Sequence, residues 1–187
     1  MTLNCKYIFK ILPVIRLELY DEERSFFVKT FVISEILTFL KYHFNYNYKI
    51  LTCISGVDYP EKSYRFQVVY ELLSLKYNSR MNLKVLVDEL IPINTAKNVY
   101  TTATWWECEI WDMFGVFFLN QYNLVRLLTD YGFQGHPLRK DFPLTGFLET
   151  RYNYPKNRVT YEIVELAQEY RVFECLSPWK ILFKSFE

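Results

Sequence analysis

The sequence predicts an α/β protein of the α+β type: a mixed β-sheet built on a long hairpin, covered by two or more helices and followed by an extended C-terminal arm. Three observations carry this. A period-two apolar alternation runs on both sides of Asn78-Ser79, two stretches repeat their apolar residues at helical spacing, and four of the seven prolines fall after Gly135. At 187 residues the chain is long enough for one domain with a real core and short for two.

Ile33 to His43 sets Ile33, Ile36, Leu37, Leu40 and Phe44 at helical spacing, with Ser34 in position to act as an N-cap. Tyr48 to Ile54 reads as a strand, and Ser55-Gly56-Val57-Asp58-Tyr59-Pro60 as the turn ending it. The clearest β pattern follows. Tyr64, Phe66, Val68, Tyr70 and Leu72 alternate with Arg65, Gln67, Val69, Glu71 and Leu73; beyond Asn78-Ser79, Met81, Leu83, Val85 and Val87 alternate with Asn82, Lys84, Leu86 and Asp88. A helix must cover the apolar face of such a hairpin.

A second helix is expected from about Thr104 to Phe114, with Gly115 as its C-terminal cap. At about 100° per residue, Trp106, Ile110 and Phe114 form a core stripe, while Trp105, Glu109 and Asp112 share an opposite, acidic side. Glu107 and Glu109 point nearly opposite ways and cannot form a catalytic carboxylate pair. The expected division is a domain over residues 1–134 and a proline-containing arm over 135–187. Within the arm, Val164 to Tyr170 has helix-forming composition, while Val159, Tyr161 and Ile163 alternate like a strand. Such aromatic, proline-flanked segments bury themselves poorly and are expected to lie across another surface.

Composition narrows the function. Apolar residues at 51% and charged residues at 23% suit a folded globular chain, and a net charge of +1 offers no basis for binding a polyanion. No apolar run approaches the roughly 20 residues of a membrane-spanning helix. The 16 Tyr and 16 Phe exceed what so small a core needs; partner surfaces would use them, and an A- and T-rich genome would also produce them. Cys5, Cys53, Cys108 and Cys175 form no C-x-x-C pair and have no neighbouring histidine, so no zinc or iron–sulfur site is expected on this chain. Met1 to Arg16 carries Lys6, Lys10 and Arg16 before its first acid, yet has little Ser and one Arg, so it is not read as a transit peptide.

Nucleotide-binding, metalloprotease and nucleophile-elbow motifs are all absent from the sequence. His136 has no acid and nucleophile set around it in sequence, so a structural hydrogen bond is expected of it and not catalysis. Arg139 and Lys140, held extended between Pro137 and Pro143, are expected to reach Glu109 and Asp112 or acids on a partner; a solvated cluster worth under about 1 kcal/mol per exposed pair is the plain alternative.

Three segments carry a resemblance: Trp105-Trp106-Glu107-Cys108-Glu109-Ile110-Trp111-Asp112-Met113-Phe114-Gly115, Arg126-Leu127-Leu128-Thr129-Asp130-Tyr131-Gly132-Phe133, and His136-Pro137-Leu138-Arg139-Lys140-Asp141-Phe142-Pro143-Leu144-Thr145-Gly146. They closely resemble the signature of the thirty-kilodalton subunit family of respiratory complex I, and the likeness extends over roughly residues 33 to 179. The chain departs from that signature at Cys108 and Val125, where Arg is usual, and at Gln121-Tyr122, where His-Pro is usual.

The resemblance implies an α/β subunit of the peripheral arm that supports the quinone-reducing module, against the forty-nine-kilodalton subunit and near the iron–sulfur subunits. It implies no catalytic, cofactor-binding or metal-ligating residue here: NADH, FMN, iron–sulfur clusters and ubiquinone belong to the rest of the complex, which couples electron transfer to proton translocation. It further implies the matrix side of the mitochondrial inner membrane, membrane association only through the complex, no nucleic acid, and an organelle-encoded chain. Trp105, Glu109, Trp111, Asp112, Gly115, Arg126, His136, Pro137, Arg139, Lys140, Asp141 and Pro143 are the expected structural or interface positions. An equivalent subunit of a membrane-bound hydrogenase-type complex is the alternative within the family. Outside it stands a single-stranded RNA-binding domain, disfavoured by the near-zero charge.

Overall fold

The computed structural model describes residues 11–20, 23–165 and 171–173. By packing, the chain divides into two units, Met1–Phe142 and Pro143–Glu187.

The first unit is built on a five-stranded sheet ordered β1-β2-β5-β4-β3, from β1 (Val14–Tyr20), β2 (Glu23–Val28), β3 (Ile50–Asp58), β4 (Phe66–Ser74) and β5 (Ser79–Val87). The expected hairpin is β4–β5, in register from Phe66 opposite Val87 to Ser74 opposite Ser79. Asn78, at φ 44°, supplies the left-handed turn residue. Strands β1 and β2 are additional to the elements expected. They form an antiparallel hairpin, and β2 joins β5 in the sheet's one parallel pairing, so the sheet is mixed.

One face of the sheet, carrying Phe26, Val28, Phe66, Val68, Tyr70, Leu72, Leu83 and Val85, is sealed from water together with residues of helices α1 (Ile33–Tyr42) and α2 (Ala103–Phe114) in a single core. Helix α1 buries Ile33, Ile36, Leu37 and Leu40 as the spacing predicts. Two expectations about it need correction. A 3-10 turn at Thr30–Val32 leads directly into the helix, so Val32 takes the cap position, and Ser34 does not cap; its carbonyl accepts the Thr38 hydroxyl at 2.8 Å. Phe44 lies beyond the helix end, where His43 is already extended, and is exposed.

The stretch Ser55–Asp58, expected as a turn, is strand. A Cβ at Gly56 would stand 2.7 Å from Cδ2 of Phe114, so this glycine serves a close helix–sheet approach and not a bend. Two short strands, β6 (Ile93–Asn94) and β7 (Phe118–Leu119), pair in parallel on either side of α2 in sequence.

In the second unit, β8 (Leu148–Asn153) and β9 (Arg158–Ile163) form an antiparallel hairpin around a turn with Asn157 at φ 48°. The alternation of Val159, Tyr161 and Ile163 is therefore strand. Part of the expected arm is thus regular structure, while most of the helix considered at Val164 to Tyr170, like residues 1–10, lies outside the described residues.

Candidate docking surface

Every α-helix ends in carbonyls that its own backbone cannot satisfy. In α2 the chain closes them in an orderly way. Gly115, at φ +80°, turns left-handed and donates its N–H to Trp111 O at 2.9 Å. The Gly135–Phe142 segment of the first unit then returns across the helix end: His136 Nδ1 lies 2.9 Å from Asp112 O, Leu138 N–H donates to Met113 O at 3.2 Å, and Arg139 Nε donates to Phe114 O at 2.7 Å. A carbonyl only accepts, so His136 carries its proton on Nδ1. Burial, with Arg139 and Arg126 nearby, outweighs that hydrogen bond and lowers the His136 pKa, so the ring is neutral at pH 7. Arg139 adds positive charge at the negative end of the helix.

Gly115 is demanded twice over. Its backbone is left-handed, and a Cβ there would lie 2.6 Å from both Arg139 Nη2 and His136 Nε2. Gly115→Ala is expected to destabilise the chain by at least about 1–2 kcal/mol, read as a lower melting temperature of the purified assembly.

A second anchor lies one turn back. Asp112 has no exposed surface, which corrects its expected place on an acidic outer face. Its Oδ2 accepts the N–H groups of Leu127, Leu128 and Thr129 at 3.1, 2.8 and 3.0 Å; its Oδ1 accepts Thr129 Oγ1 at 2.7 Å and Arg126 Nη1 at 3.2 Å. Burial alone would raise this carboxyl's pKa. The donors from Thr129, Leu128 and Leu127 outweigh it, and the pKa stands below its ordinary value. Arg126 also donates to Gly135 O at 2.9 Å and stacks on Trp111, whose ring meets His136 edge-on at 6.3 Å. Arg126 thereby ties one anchor to the other.

The third anchor replaces the pairing expected for Arg139 and Lys140. Neither reaches Glu109 or Asp112, because their segment runs past the helix end toward the sheet and Arg126 already occupies Asp112. Instead Arg139 Nη1 meets Glu89 at 3.3 Å and Lys140 donates its backbone N–H to Asp58 at 2.8 Å. Arg65 holds the centre: it bonds Asp58 at 2.8 Å, Glu89 at 2.7 Å and Asp141 at 3.0 Å. Phe66 faces the guanidinium groups of both Arg65 and Arg139. The hydrogen bond from Arg65 is the main cause of a lowered Asp58 pKa.

Asp58, Arg65 and Glu89 were absent from the residues expected at the site, as was Thr129. Glu107 was too: fully buried, it accepts Thr95 Oγ1 at 2.6 Å and Ala96 N–H at 2.7 Å and pins that loop to α2, and burial raises its pKa. The remaining expected residues are dispersed. Trp105 is 67% exposed, Glu109 is half-buried with no ion pair among the described residues, and Pro137 and Pro143 are half-buried. At the positions that depart from the signature, Cys108 is buried against Asn123 O, Gln121 is buried with both amide atoms unpartnered among the described residues, and Tyr122 and Val125 are exposed.

These titrations fix the acid response. Asp58 and Asp112 have folded pKa values below their ordinary 3.8, so their contribution is present above that value and is lost as pH falls through the lower folded ones. Glu107, raised above 4.5, acts oppositely and weakens the fold as pH rises through its folded value. Stability is expected to fall below about pH 4, and Asp112→Asn should flatten that acid limb in melting curves taken across pH.

The first two anchors hold a stretch of apolar side chains turned to solvent. Leu127, Leu128 and Leu138 are exposed although their backbones are fixed from below, and Tyr131 beside them is 100% exposed. Residues 26–148 match the family described as respiratory-chain NADH dehydrogenase, 30 Kd subunit. The chain belongs to that family. It is 49% identical over 166 residues to the NADH-ubiquinone oxidoreductase subunit 9 of Prototheca wickerhamii, covering 89% of this chain and 86% of that one. It is 47% identical over 178 residues to the NADH dehydrogenase [ubiquinone] iron-sulfur protein 3 of Beta trigyna, covering 94% and 93%. A chain in the structure of the membrane-bound sulfane sulfur reductase, an archaeal respiratory membrane complex, shares the fold with a TM-score of 0.64 at 24% identity, covering 75% of this chain and 84% of that one. As a member of its family, this chain is a subunit of a multisubunit respiratory NADH:ubiquinone oxidoreductase. Among the described residues no helix is long and apolar enough to cross a membrane.

The name of the Beta relative raises an iron–sulfur cluster, which would need about four thiolate or imidazole donors converging on one point. Among the described residues no three His, Cys, Asp or Glu converge in that way. Burial, with Glu71 beside it, pushes the Cys53 thiol up to about 11, and Cys108 is buried against a carbonyl. The described residues do not fit a cluster.

Proposed function

We propose that this respiratory-complex subunit is a non-catalytic scaffold, which docks through the exposed side chains of residues 126–139 onto a neighbouring subunit of the quinone-reducing module. The reading carries with it the expected setting: the forty-nine-kilodalton subunit as that neighbour, the peripheral arm on the matrix side of the mitochondrial inner membrane, and redox groups held by other subunits. What supports it is one observation. Leucines and a tyrosine face water on a backbone held from beneath by a buried carboxylate, so the loop is preorganised while these outward side chains bury nothing in the isolated chain.

The test leaves the anchors intact and alters only the outward side chains. Leu128→Asp with Tyr131→Asp is expected to reduce the chain's incorporation into the complex on native gels of solubilised membranes by at least about tenfold, since central apolar anchors dominate such interfaces. Undiminished assembly of that double variant would refute docking through this surface.

A further inference from the structure

The sheet face turned away from both helices bears a groove of about 650 Å³, lined by side chains of β1, β2, β4, β5 and the β3–β4 connection. Its floor includes Gln67, a residue 8% exposed that borders the groove. A primary amide carries two donors and an acceptor, and an occupant that displaces water from the groove must replace the hydrogen bonds water makes to them. A peptide backbone offers a carbonyl and an N–H within one amide unit and so can replace both kinds of partner at once.

The groove is also unbalanced in charge. Arg16, Lys62 and Lys84 line it against a single acid, Glu18. Glu18 is shared between Arg16 at 3.1 Å and Lys84 at 3.4 Å, and among the described residues Lys62 meets no carboxylate, its ammonium resting 3.9 Å above the Tyr59 ring. Phe27, Tyr64 and Leu86 add apolar lining. The volume falls within the roughly 300–1,000 Å³ range of occupied sites, and the surplus of cations selects an acidic occupant.

We infer that this groove docks an acidic, extended polypeptide segment of a neighbouring subunit, with carboxylates on Lys62 and Arg16 and a backbone amide on Gln67. The inference rests on the reading of the chain as a subunit, but concerns a face separate from residues 126–139. The test places a photo-crosslinking residue at Tyr64, which lines the groove and is 48% exposed, in the assembled complex and maps the adduct by mass spectrometry. The expected result is an adduct to an acidic segment of another subunit, with a yield per assembled complex that falls about tenfold in Lys62→Glu. No adduct, an adduct to a neutral or basic segment, a small-molecule occupant, or a yield indifferent to Lys62→Glu would overturn the inference while leaving the subunit role standing. Absence of the chain from the complex would overturn both.

Discussion

Replacing Asp112 by alanine is expected to cost about 3–5 kcal/mol, the range found when one partner of a buried charge pair is removed. The substitution leaves three backbone N–H groups, the Thr129 hydroxyl and the Arg126 guanidinium directed at a void. Residues 126–129 then lose their attachment to α2, and the leucines they carry lose their fixed position. The measurement is paired: melting temperature of whatever complex forms, and the fraction of the chain found in it on native gels. Asp112→Asn is expected to fall between wild type and alanine, because an amide keeps one acceptor oxygen but turns its NH2 against the remaining donors. Wild-type melting and assembly in Asp112→Ala would show that the loop does not depend on this carboxylate.

Arg65→Met is expected to be comparably severe, at about 3–5 kcal/mol. Its side chain is 16% exposed, and its guanidinium bridges Asp58, whose side chain is 2% exposed, to Glu89 and Asp141. Without it a buried carboxylate retains only the backbone N–H of Lys140, and the segment crossing the helix end loses its hold on the sheet. Limited proteolysis should then cut within residues 135–142, where the parent chain resists. Arg65→Lys should recover only part of the stability, since a single ammonium cannot replace a guanidinium that contacts three carboxylates. A protease-resistant Arg65→Met chain would remove Arg65 from the centre of the network.

The contrast between these two anchors shows what was legible in the sequence. Gly115 could be read because a helix stop and a glycine coincide, and the structure puts it at the cap. Asp112 could be noticed but not understood: helical spacing gave its side of the helix, whereas its burial depends on residues 126–129 folding over that side. Asp58 and Arg65 stand on either side of a loop and meet Asp141 from far along the chain, a juxtaposition with no local signature. Gly56 misled because a glycine in a bend and a glycine beneath an aromatic ring look alike in one dimension. The same limit applies to pairing: the β4–β5 hairpin is local and was visible, while the β2–β5 ladder joins distant segments and left no pattern.

That parallel ladder governs the order in which the protein can be made. Val28 leaves the ribosome early, but its partner Val85 does not emerge until the intervening helix and two further strands have been synthesised. The N-terminal hairpin must therefore wait, with Phe26 and Val28 uncovered, for an edge that does not yet exist. Late, non-local strand pairing of this kind is slow and exposes apolar surface in the nascent chain, so chaperone occupancy during translation should concentrate on the first strands and end once β5 has emerged.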